Sequence, residues 1–273
     1  MPRILGIGDN TVDVYVDDGM QYPGGNAVNV AVQARRAGAE ASYLGCLGRD
    51  ALGELLHGAL VAEGIDISMV RWRDGPNARS PIAHRDGDRI FLGGKPGVRG
   101  QYELSEADDA FVAAHDLAHT SVHSDLDVEL PRLKRHAKLL SYDYSERWTR
   151  PGKADTFRHV DIAFLSSPRA GQVECEDIMR NCAGSGPKLV VLTRGIRGSM
   201  ALWQGEISTA GTQPTQVVDT LGAGDAFIGA FLVAWLRRRD PQAALEAGAA
   251  HAALACGSKG AFGHGAPVSA GAP

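Results

Sequence analysis

The chain has 273 residues and a nearly balanced charge, with 28 Lys and Arg against 32 Asp and Glu for a formal net charge of −4. That length supports one large domain with a sizeable core, the charge leaves no basic stripe for nucleic acid, and no apolar run approaches bilayer-spanning length, so the expected partner is a small soluble molecule. Cys46, Cys175, Cys182 and Cys256 stand singly without C-x-x-C spacing, which predicts reduced, mostly buried thiols and speaks against zinc.

From the N-terminus, Met1-Pro2-Arg3 leads straight into Ile4-Leu5-Gly6-Ile7-Gly8, too short for a secretory leader and patterned as a first buried strand; a cytoplasmic protein is expected. Further strands are expected at residues 41–47, 116–119, 139–142, 162–165, 189–193 and 200–203. They alternate with helical patterns at 25–37, 51–63, 105–114, 126–137, 172–183, 223–238 and 241–257. This alternation predicts an α/β domain over residues 1–263, a doubly wound, mostly parallel sheet with helices on both faces. Two stretches break the pattern, 12–16 and 79–92, the second with a turn at Asp86-Gly87-Asp88, and they read as a separate small sheet. Residues 264–273, rich in Gly, Ala and Pro, are expected to form a disordered tail.

The segment from Val218 to Phe227 places Gly222, Gly224 and Asp225 at the start of a helix whose apolar residues Phe227, Ile228, Phe231, Leu232 and Trp235 recur at helical spacing. The glycines let the amides of Gly222, Ala223 and Gly224 converge, and the helix N-terminus adds its dipole, so an anion is favoured there. Asp225 on the first turn could take a proton from a substrate hydroxyl. It reads equally as a helix cap beside a tight connection. A second glycine pair, Gly24-Gly25, precedes Asn26-Ala27-Val28-Asn29, whose amides can grip hydroxyls or tie down the turn. His119, His123 and His251 lack ligand spacing and read as satisfied polar histidines, and Arg237-Arg238-Arg239 closes a helix where cations suit the dipole.

Three motifs in order, Gly24 to Ala31, Gly48-Arg49-Asp50-Ala51-Leu52-Gly53 and Asp219-Thr220-Leu221-Gly222-Ala223-Gly224-Asp225, resemble the signatures of the ribokinase (PfkB) family of carbohydrate kinases, over residues 4 to about 263. The resemblance implies a ribokinase-like fold, ATP-dependent phosphorylation of a sugar with magnesium on the nucleotide, and a β-sheet lid through which such proteins often form homodimers. It implies Asp225 as the catalytic base and the Gly222-Ala223-Gly224 amides as the phosphoryl cradle. Gly25, Asn29 and Asp13 would bind sugar hydroxyls, with Asp9 adding a second carboxylate; the alternatives are a turn-capping Asp9 and a solvated Asp13. Asp143-Tyr144-Ser145-Glu146-Arg147 is similar to the family's D-P-N-x-R segment, which implies Asp143 and Arg147 facing the site, although Arg147 also reads as an exposed residue at a helix start.

Thr193, Gly195 and Gly198 match the family's T-x-G-x-x-G turn beside the nucleotide, or simply turn the chain before a strand. The adenine would lie toward Gly257 and Gly260, and that loop with Asp219 and Thr220 surrounds a monovalent-cation site in several relatives, implying K+. The chain departs from the family at Ser166-Ser167-Pro168-Arg169, where N-x-x-E helps to order magnesium; a cation at Arg169 cannot replace that carboxylate. Within the family, Gly8 to Tyr15, Gly24 to Val32 and Asp88-Arg89-Ile90-Phe91 look most like the fructoselysine 6-kinase branch, which implies transfer to the 6-hydroxyl of a fructosamine. A cationic acceptor suits paired carboxylates at Asp9 and Asp13. Another sugar or nucleoside kinase, or a catalytically silent binding regulator, is the alternative.

Overall fold

The computed structural model describes residues 1–85, 88–100 and 102–268. The first half of the chain forms β1 (Arg3–Ile7), β2 (Thr11–Tyr15), β3 (Met20–Gly24), α1 (Asn26–Arg36), β4 (Glu40–Leu44), β5 (Cys46–Gly48), α2 (Ala51–Ala62), β6 (Arg71–Arg73), β7 (Arg79–Arg85), β8 (Asp88–Phe91), α3 (Glu106–Ala113) and β9 (Leu117–Ser121). The second half forms α4 (Leu130–His136), β10 (Leu140–Asp143), the one-turn α5 (Lys153–Thr156), β11 (Ile162–Ser166), α6 (Gln172–Gly184), β12 (Leu189–Thr193), β13 (Ser199–Trp203), β14 (Glu206–Ala210), α7 (Ala223–Arg238), α8 (Pro241–Ala255) and β15 (Ala266–Pro267).

The main sheet runs β14-β13-β12-β11-β10-β9-β1-β4. Its strands are parallel from β4 to β12, and β13 and β14 close one edge antiparallel. Its strands read as continuous apolar runs because helices cover both faces. In β11, Ile162 and Phe164 point to the layer of α1, α7 and α8, while Ala163 and Leu165 point to the layer of α3, α4 and α6. Phe164 meets Phe231 of α7 edge-on at 5.5 Å, and full burial of such a side chain contributes about 1.5–3 kcal/mol. The chain leaves β1 for β4 on one side and reaches β9 on the other, so a crevice opens beyond their carboxyl ends.

The stretches that broke the helical pattern do form a second sheet, ordered β15-β3-β2-β7-β8. β3 escapes a sequence reading because Pro23 and Gly24 look like breakers. The turn expected at residues 86–88 lies largely outside the described residues. Residues 264–268 correct the expectation of a disordered tail: the His264 ring bonds Glu63 at 2.7 Å, and Ala266 and Pro267 pair antiparallel with Gln21 and Met20. Residues 269–273 lie outside the described part. The single strand expected at 41–47 breaks at Gly45, where a Cβ would lie 2.2 Å from the Tyr43 hydroxyl, and β5 leaves the main sheet to pair with β6. Residues 126–137 open as a tight turn at Asp127–Glu129 before α4 begins. All four cysteines are buried, and no described helix is long and apolar enough to cross a membrane.

Candidate active site

Beyond the carboxyl ends of β1, β9 and β10 lies a cleft of about 750 Å³, roofed by the small sheet. Asp9, Asp13, Gly25, Asn29, Asp143, Arg147, Thr193, Gly222, Gly224 and Asp225, all expected at the site, line it together. Gly195, Gly198, Thr220, Ala223, Gly257 and Gly260 do not. Gly198 is a glycine for packing, since at φ 85° its Cβ would sit 2.1 Å from the Ala210 carbonyl oxygen. Gly260 donates its N–H to Asp219, which also accepts from Leu221 N and the Tyr15 hydroxyl. The carboxylate of Asp219, proposed beside a monovalent cation, therefore already ties three segments together.

The two glycines of the α7 turn differ in what demands them. Gly222 occupies the left-handed region at φ 75°, and a Cβ there would approach the Ala261 Cβ to 2.4 Å. Gly224 lines the cleft, and a Cβ on it would meet no protein atom within 4 Å. Protein packing therefore requires the first but not the second, and bare backbone at Gly224 leaves the helix N-terminus open to a ligand in the cleft.

Asp225, on the first turn of α7, does not cap its own helix. Its oxygens accept from two amides of α1, Asn26 Nδ2 at 2.7 Å and Asn29 Nδ2 at 2.6 Å. Asn26 divides its two amide hydrogens, giving the other to Asp143 at 2.9 Å. With the amide nitrogen so committed, Asn26 Oδ1 faces His119 Nε2 at 3.0 Å and accepts its proton, which leaves Nδ1 to accept from the Ser141 hydroxyl at 2.7 Å. Complete burial pushes His119 down to about 3, so it is neutral, as this relay requires.

The carboxylates crowd one another. Burial first, then the charges of Asp143 and Asp9, push Asp225 up to about 8, against the lowering effect of the two amides. Burial and Asp9 raise Asp143 to about 6, opposed by the Ser145 N–H and Asn26. Asp9 is 3% exposed and accepts from the N–H groups of Asn26 and Ala27 and the hydroxyls of Ser121 and Ser124, so it anchors the start of α1 from beneath while lining the cleft. Asp13 on β2 is 5% exposed, in space vacated by Gly24, whose Cβ would lie 2.4 Å from Asp13 Oδ2.

Asn29 holds a signal no sequence shows: its Oδ1 is buried without a hydrogen-bond partner. An orphaned acceptor beside Asp225 fits a ligand hydroxyl. Sequence reasoning also missed Asn26 as the bridge, although it stands in the Gly-Gly-Asn triplet, and the cations Arg79, Lys95 and Arg99 that line the cleft with Arg147. Burial and Arg150 lower Arg147, which still stays charged at neutral pH. Asp125 and Ser145, just beyond β9 and β10, hold positive φ angles of 56° and 52°, a conformation non-glycine residues keep only under constraint. Ser166 lines the cleft, whereas Arg169 is exposed outside it. Among the described residues no three carboxylates, imidazoles or thiolates converge on a metal position. That donor set suits magnesium carried by nucleotide phosphates and water rather than a protein cage.

Comparison with known proteins gives the family and the fold. The family model for pfkB family carbohydrate kinase matches residues 5–266. The fructosamine kinase FrlD of Bacillus subtilis (strain 168) is 36% identical, covering 97% of this chain and 94% of that protein. The fructoselysine 6-kinase of Escherichia coli (strain K12) is 35% identical, covering 86% and 90%. Among solved structures, Arabidopsis thaliana ribokinase complexed with ribose and ATP superposes with a TM-score of 0.81 at 22% identity, covering 96% and 94%. A putative ribokinase II from E. coli with ATP and Mg2+ gives 0.80, also at 22% identity, covering 96% and 95%. The resemblance drawn from three short motifs thus extends over nearly the whole molecule, and the chain belongs to the pfkB family of carbohydrate kinases.

Proposed function

We propose that this sugar kinase transfers the γ-phosphoryl group of ATP to the primary 6-hydroxyl of a fructosamine, with Asp225 as the base. The observation that carries the reading is Asp225 at the start of α7, held by two α1 amides beside the unpartnered Asn29 Oδ1. Bound MgATP would supply an electrophilic phosphorus with its charge screened by the metal. Gly222, Ala223 and Gly224 at the α7 N-terminus would cradle the phosphoryl oxygens, with Arg147 taking charge across the cleft. Asn29 Oδ1 and Asp13 would accept hydrogen bonds from sugar hydroxyls and aim the acceptor. As the hydroxyl oxygen bonds to phosphorus and the β–γ bridging bond breaks to release ADP, Asp225 takes the proton.

Two observations support a fructosamine acceptor: the similarity to kinases named for such substrates, and the five aspartates Asp9, Asp13, Asp125, Asp143 and Asp225 in one cleft, an arrangement that favours a cation beside the sugar. ATP-dependent phosphorylation of fructoselysine, fructose, ribose and a nucleoside tests it. Fructoselysine should give the highest kcat/KM; a much higher value for fructose, ribose or the nucleoside would refute the acceptor assignment.

A further inference from the structure

We infer that Arg99 and Asp125 form a subsite for the zwitterionic amino-acid end of the acceptor, Arg99 taking its carboxylate and Asp125 its α-ammonium. This rests on the fructosamine reading above and specifies which adducts the cleft accepts. Both residues line the cleft, and among the described residues neither side chain forms a hydrogen bond or ion pair. Arg99 is half-buried, with an Nε shielded from solvent and without an acceptor. A guanidinium nitrogen left so is a cost that a bidentate carboxylate removes. Asp125 is exposed within the cleft at φ 56°, a left-handed conformation that Asp and Asn adopt more readily than other side chains.

The two charges lie in one neighbourhood. His123 feels Asp9, Arg147, Arg99 and Asp125 together, and Arg147 feels Asp125 and Arg99. Burial lowers His123, favouring the neutral ring, so it adds no further positive charge beside Arg99 and Asp125. Arg99 enters from the loop after lid strand β8, and the lid's own Arg79 and Lys95 are joined by a backbone bridge on that side. A sugar hydroxyl needs none of these charges; a free amino acid needs a cation and an anion placed together.

The test compares kcat/KM for the fructose adduct of lysine through its ε-nitrogen with three relatives: the adduct of 1,5-diaminopentane, which lacks the carboxylate, the ε-adduct of Nα-acetyl-lysine, which lacks the ammonium, and a fructose phosphate. The wild-type protein should prefer the lysine adduct over each by roughly ten- to a hundredfold. Arg99→Gln should erase the preference over the diaminopentane adduct through KM, and Asp125→Asn, which tolerates the left-handed backbone, should erase the preference over the acetylated adduct. Arg99→Lys should restore part of the loss. Wild-type protein that uses all three adducts equally well, or an Arg99→Gln loss equal on lysine and diaminopentane adducts, overturns the subsite but leaves the fructosamine reading standing. A fructose phosphate or free fructose surpassing every adduct overturns both.

Discussion

Replacing Asn26 with alanine isolates the relay that positions the base. The site is the first residue of α1, where alanine is a good helix former and the backbone N–H to Asp9 survives, so the fold should hold. The side chain donates to both Asp225 and Asp143, and in each case the bond favours the ionised carboxylate. A hydrogen bond to a charged group contributes about 1.5–3 kcal/mol, and at about 1.4 kcal/mol per pKa unit its loss moves Asp225 up by roughly one to two units. The wild-type kcat/KM profile should rise with pH toward a plateau above about 8, because the base must be ionised. The limb in Asn26→Ala should lie one to two units higher, so that activity at pH 7 falls about 10- to 100-fold and returns as the medium is made alkaline. Initial rates across pH in overlapping buffers of constant ionic strength measure it. A limb at the wild-type position, or a rate that alkali does not recover, refutes the shared-amide account.

Three other substitutions follow from the same geometry. Asp225→Asn should lower kcat by about 10²–10⁴-fold with sugar binding retained, and calorimetry of the acceptor complex would separate the two. The same variant should be more thermostable than wild type at pH 9 but not at pH 4: the native pKa is raised, so the wild-type penalty is absent below the unfolded value, accrues as pH rises, and is complete above about 8. Gly222→Ala should lower the melting temperature, since the left-handed backbone alone costs roughly 1–2 kcal/mol before the clash with Ala261. Gly224→Ala should keep or raise it, as alanine gains about 1 kcal/mol in a helix, while losing activity to a methyl group in the cleft; a fully active Gly224→Ala enzyme would remove that turn from the phosphoryl cradle.

The motifs that resemble the family's point to Asp225, Asn29, Asp143 and Thr193, and all four line the cleft. Asn26 stands in one of those motifs, yet its role could not be read there, since its partners Asp143 and Asp225 are 117 and 199 positions away. His119 likewise reads only as a polar histidine until the sheet brings it to Asn26. Asp9 was legible as an acid at the end of β1, but whether it meets ligand or backbone depends on how α1 docks over that strand. The carboxyl-end crevice follows from strand alternation; β3 and β15 do not, because strands containing Pro and Gly gain their order from their neighbours in the sheet rather than from any pattern of their own. Arg99 sits in a Gly- and Pro-rich loop without periodicity, so only the folded chain reveals its buried, unpartnered nitrogen.

The elevated pKa of Asp225 has a consequence for the acceptor's charge. With burial and the charges of Asp143 and Asp9 holding it near 8, the base is largely protonated at neutral pH in the ligand-free cleft. A cation seated among those carboxylates opposes the coulombic part of the shift and releases the proton. Because kcat/KM reports ionisations of the free enzyme and kcat those of the complex, the two profiles measure the coupling directly. With a fructosamine carrying its ammonium, the acidic limb of kcat should lie at lower pH than that of kcat/KM; with neutral fructose as acceptor the separation should shrink. The screening of MgATP is common to both acceptors and cancels in the comparison. Equal separations for charged and neutral acceptors would show that the carboxylate cluster does not sense the substrate's charge, and the acidity of the cleft would then bear on folding rather than on choice of sugar.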